Sequence, residues 1–73
     1  MKAIYTRTEP DGTVSITADD LNTYSVCGET GMMHEGKPYE GKIIDPKNRE
    51  LCDFVKEEYR RHTDLIAFNK RKN

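Results

Sequence analysis

The chain has no tryptophan, only two phenylalanines and two cysteines, and its 34% hydrophobic residues are matched by 34% charged ones. In 73 residues that shortage allows one small core, which excludes several domains and leaves little wall for an enclosed catalytic cleft. No apolar run approaches the roughly 20 residues that span a bilayer, and the opening MKAIYTRTEP lacks the apolar stretch of a secretory signal. A cytoplasmic chain is therefore expected, with Cys27 and Cys52 as free thiols in a reducing compartment and Cys52 the more buried. An excess of one charge is missing as well, since 12 Lys+Arg face 13 Asp+Glu. The charges are nonetheless segregated. The first half is acidic through Glu9, Asp11, Asp19, Asp20, Glu29 and Glu35, whereas the C-terminal end gathers Arg60, Arg61, Lys70, Arg71 and Lys72. Such a bipolar chain can be steered toward a charged partner without being a polyion.

What is present reads as a meander followed by a helix. Residues 2–8 mix β-branched and aromatic types and stop at Glu9-Pro10-Asp11-Gly12, a turn in which Pro sets φ and Gly accepts a positive one. Val14, Ile16 and Ala18 alternate with Ser15 and Thr17, as a half-buried strand requires. Pairing of these two strands places either Ile4, or else Ala3 and Tyr5, on the core face. After Asp19-Asp20, a third extended run carries Tyr24 and Val26. Gly28, Gly31, Gly36 and Gly41 then mark residues 28–41 as a flexible loop. Within it, Met32 and Met33 offer a soft, adaptable contact, or one of them folds back on the core, the commoner fate of a methionine.

Gly41-Lys42-Ile43-Ile44 is a candidate fourth strand. Asp45 as N-cap with Pro46 at the first helical position then opens a helix to about His62, with Leu51, Phe54, Val55, Tyr59 and His62 as its apolar stripe. Thr63-Asp64 either ends it and caps a short second helix or lies within a continuing one. The fold class expected is α+β: a small antiparallel β-meander of three or four strands packed against one C-terminal α-helix. Residues 1–68 form a single domain and residues 69–73 a disordered, frayed basic tail.

Candidate chemistry is thin. Cys27, His34, Cys52 and His62 are zinc-type residues, but no pair lies closer than Cys27 and His34, against the two-to-four spacing typical of structural zinc sites, so no metal or cofactor is expected. Nucleophilic catalysis by either cysteine lacks a local base and an oxyanion site. Gly28-Glu29-Thr30-Gly31 matches no phosphate-binding motif, and the pI near 6.1 counts against a nucleic-acid surface at Arg60-Arg61-His62. A protein-binding module remains, not an enzyme. Its candidate contacts are the acidic residues Glu9, Asp11, Asp19 and Asp20, the basic Arg60, Arg61, Lys70, Arg71 and Lys72, and the pair Met32 and Met33.

In size, in its β-rich first half and in its charged second half, the chain resembles the small single-domain effectors with which bacteriophages seize host RNA polymerase, and is similar to anti-termination factors of the Xanthomonas-phage kind. The likeness includes no alignable motif, so it assigns no binding residue. It implies a partner in a bacterial RNA polymerase subunit within the host cytoplasm, inhibition of initiation through weakened sigma-factor engagement, and anti-termination. The free chain is expected to be a monomer. An inhibitor of another host enzyme, or a small nucleic-acid-binding protein using the basic helix end, are the alternatives.

Overall fold

A computed structural model describes residues 1–37 and 41–72, with side chains through Lys70. Four strands, β1 (Ala3–Thr8), β2 (Val14–Ala18), β3 (Thr23–Val26) and β4 (Met33–Glu35), form one antiparallel sheet in the order β1-β2-β3-β4, followed by a single helix, α1 (Arg49–Lys72). The fold is the expected α+β meander with one C-terminal helix.

The register follows from the alternation in β2. Val14 pairs with Val26 and Ile16 with Tyr24, so Val14, Ile16, Ala18, Tyr24 and Val26 share the face that α1 covers with Leu51, Cys52 and Val55. Ile16, Ala18 and Val55 are fully buried. Tyr24 meets Phe54 edge-to-face, ring centroids 6.4 Å apart, and this burial, followed by the nearby Asp20, raises its phenol pKa above the ordinary value.

In β1 the alternation is broken. The register slips between Ala3, opposite Ala18, and Tyr5, opposite Thr17, which makes Ile4 the extra residue of a β-bulge. Neither reading of the sequence survives intact: Ala3 packs on the core, while Ile4 and Tyr5 are both exposed. Beyond the bulge, Thr6 pairs with Ile16 and Thr8 with Val14, which brings both threonines to the helix side. There they hold the two ring nitrogens of His62, Thr6 Oγ1 at 2.9 Å from Nδ1 and Thr8 Oγ1 at 2.7 Å from Nε2. A threonine hydroxyl can donate or accept, so the clamp is satisfied with the ring in either tautomer. Replacing His62 with Ala removes two bonds between the helix and an edge strand, and should lower stability by about 1–2 kcal/mol with faster amide exchange along β1. A urea midpoint equal to that of the parent chain would show that water substitutes for the clamp.

Three boundaries differ from expectation. Residues 28–41 are not a loop throughout, because β4 lies within them. Gly31 and Gly36, with φ of +74° and +94°, act as the turns that bracket β4. Residues 42–44 add a single bridge instead of a full strand: Ile43 sits opposite His34, flanked by the bonds Glu35 N–H to Lys42 O and Ile44 N–H to Met33 O. The helix starts later than Asp45-Pro46 suggests. Asp45 caps a preceding turn through Lys47 N–H (2.9 Å), and Asn48 then caps α1 itself through Leu51 N–H (3.3 Å).

At Thr63-Asp64 the helix continues, the second of the two readings. Thr63 donates its hydroxyl to Arg60 O (3.0 Å) inside the helix and caps no second one. Residues 69–72, expected as a frayed tail, have helical backbone. No Gly or Pro follows Pro46, and Lys and Arg near a helix C-terminus complement its dipole. Residues 38–40 and Asn73 lie outside the described residues.

Candidate interaction surface

A groove opens on each flank of the helix. On the β4 side, a groove of about 540 Å³ lies between Met32, Met33, Ile43 and Ile44 on one bank and Arg49, Cys52, Asp53 and Lys56 of α1 on the other. On the β1 side, a groove of about 800 Å³ lies between Met1–Ala3 and Glu50, Asp53, Phe54, Glu57, Glu58 and Arg61. The charges of the two differ. Arg49 and Lys56 have no ion-pair partner among the described residues, whereas the second groove is dominated by carboxylates.

Met33 packs against the core, the commoner fate of a methionine, and Met32 is 43% exposed. The other candidate residues are scattered. Glu9 and Asp11 occupy the β1–β2 turn, Glu9 3.6 Å from Arg7 and Asp11 accepting from Thr13 N–H at 3.0 Å. Asp19 and Asp20 lie at the opposite end of β2, where Asp20 binds both Asn22 N–H and the Asn22 side chain at 3.0 Å. The five residues of β2 separate these acids by about 16 Å, so they form two small turn clusters and no single acidic edge.

Arg60 and Arg61 are exposed but engaged on the helix itself. Arg60 donates both bonds to Glu57, at 2.9 and 3.1 Å, and Arg61 reaches Glu57 and Glu58 at 3.5 Å. Hydrogen bonds and charge from Arg60, with Arg61 behind it, hold the Glu57 carboxyl below the usual carboxylate range. Protonation of Glu57, on acidification through that lowered pKa, removes the partner of Arg60 and one of the two partners of Arg61. Lys70 is exposed on the last turns, and the side chains of Arg71 and Lys72 lie outside those described.

On the other face of the sheet, Ser25, Cys27, His34, Thr13 and Gly41 line a small cavity of about 180 Å³. Cys27 takes its hydrogen bonds from Thr30, hydroxyl and then backbone, and from the Glu29 backbone, which lower its thiol pKa. His34 is not among its partners there, and Cys52 lies across the sheet in the core, its thiol 3.6 Å from Asp45 O. Cys27 and His34 thus share this cavity while Cys52 and His62 lie elsewhere, and no group of three possible ligands occurs among the described residues. No described helix is long and apolar enough to cross a membrane.

Compared with known proteins, the chain matches no family model, no curated protein and no solved structure.

Proposed function

We propose that the chain is a non-catalytic regulator that docks on a subunit of bacterial RNA polymerase, weakens sigma-factor engagement at initiation and promotes anti-termination. The polymerase is supplied by the resemblance in size and layout. Docking is supported by one observation above others: among the exposed large apolar side chains, two share one groove and two share one stretch of helix. Met32 and Ile43, 43% and 57% exposed, share the groove beside β4. Leu65 and Phe68, 58% and 56% exposed, stand three residues apart on the stretch of α1 beyond His62. A chain so short of apolar residues gains nothing in folding by leaving these in water, and clustered exposure of this kind marks contact surfaces.

The self-neutralising pairs of Arg60 and Arg61 favour this reading over a nucleic-acid surface, since a cation already bonded to a neighbouring carboxylate adds little to phosphate binding. The test is a titration of labelled chain with purified core polymerase and with the sigma-bound holoenzyme, paired with transcription through a terminator. Saturable association, release of sigma and increased read-through are expected, with affinity falling as salt rises. Absence of association at low salt overturns the proposal.

A further inference from the structure

We propose that the groove between β4 and α1 is the docking site for a short extended segment of the partner that carries apolar side chains together with carboxylates. This deepens the docking reading above and rests on it. Three features of the groove select that occupant. Its floor and one bank are apolar, from Met32, Met33, Ile43 and Ile44, and unbranched methionines repack around whichever aliphatic or aromatic side chain enters. Its helix bank carries Arg49 and Lys56, both exposed and without an ion-pair partner among the described residues. Asp53 between them leaves the bank net positive.

The third feature is the rim. Because the bonds on either side of Ile43 are made by Lys42 O and Ile44 N–H toward β4, the N–H and C=O of Ile43 point away from the sheet, and neither has a partner among the described residues. An added strand takes such a pair. Arg49 and Lys56 stand seven residues apart on one helix face, about 10.5 Å, which matches roughly three residues of extended chain. A segment pairing with Ile43 can therefore bury an apolar side chain between the methionines while carboxylates flank it. The groove across the helix, rich in carboxylates, repels the same segment.

Methionine methyl resonances provide the readout, because Met32 and Met33 line this groove and Met1 lines the other. A synthetic hexapeptide of alternating Leu and Glu is titrated into the methyl-labelled chain, with the Leu-Lys counterpart as control. The acidic peptide should shift Met32 and Met33 and leave Met1 unmoved, while the basic peptide should not shift them. In parallel, Arg49→Gln with Lys56→Gln should weaken association with core polymerase by roughly tenfold, against little change for Lys2→Gln with Arg7→Gln, which removes equal charge elsewhere. Shifts at Met1 alone, no shifts, or equal losses in the two double variants overturn the proposal. So does the same Met32 and Met33 shift on concentrating the chain by itself, which would place a second copy in the groove. If core polymerase does not bind but the acidic peptide moves Met32 and Met33, the polymerase reading falls and the groove assignment stands.

Discussion

Ile16→Ala should destabilise the chain by about 3 kcal/mol and lower its melting temperature by roughly 15 °C. Ile16 is the centre of the core: fully buried, flanked by Thr6 on β1 and Tyr24 on β3, and facing the helix. Removing three of its carbons loses their transfer free energy and leaves a hole that a four-stranded sheet pinned to one helix cannot close. A domain this small has only about 4–10 kcal/mol in hand, so the variant will have a visibly unfolded fraction at physiological temperature. Ile4→Ala is the matched control. Ile4 is 59% exposed because the bulge turns it out of the core, and its truncation should cost less than about 0.5 kcal/mol. Urea titration of the two variants checks the bulge directly. Equal losses would mean that Ile4 packs on the core and that β1 pairs in unbroken register.

That contrast also shows where sequence reading stops. β2 was legible because Val14, Ile16 and Ala18 keep strict period, and the helix was legible because Leu51, Val55 and Tyr59 recur at helical spacing. The bulge was not, because β1 has apolar residues at 3, 4 and 5 in a row and only its partner strand decides between them. β4 was hidden between Gly31 and Gly36, whose composition reads as loop whether the glycines are flexible or serve as fixed turns. The helix start is ambiguous in the sequence because two capping residues, Asp45 and Asn48, follow one another three positions apart, and Asp45 with Pro46 is the stronger local signal.

The candidate surface was legible only in part. Met32 and Met33 could be singled out from adjacency alone. Ile43, Arg49 and Lys56 could not, since they join the methionines through a turn between strand and helix that no periodicity reports. Charge counting found Arg60 and Arg61 but not the carboxylates at i−3 and i−4 that engage them, although the spacing of Glu57 and Glu58 was available as a signal.

The loop that delivers Met32 to the groove leads to the second large effect. Gly28→Ala should destabilise by about 2–3 kcal/mol, although Gly28 is exposed and has no positive φ. A Cβ there would sit 2.6 Å from Gly12 C, 2.7 Å from Asp11 O and 2.8 Å from Thr13 N, all backbone atoms that cannot swing aside. The β1–β2 turn and the β3–β4 turn meet at this point. Gly28 N–H donates to Thr13 Oγ1 at 3.2 Å, and Thr13 is itself buried. A methyl group forces the turns apart, breaks that bond and strands a buried hydroxyl. Gly31, three residues on, separates crowding from backbone strain: its φ is +74° but nothing lies within 4 Å of an added Cβ. Gly31→Ala should cost only about 1 kcal/mol, and Gly31→Asn less, because Asn tolerates the left-handed region. If Gly28→Ala is no worse than Gly31→Ala, the two turns do not touch. If it is worse by the expected margin, the crossing of these turns is what holds the β3–β4 connection, and Met32 with it, against the sheet.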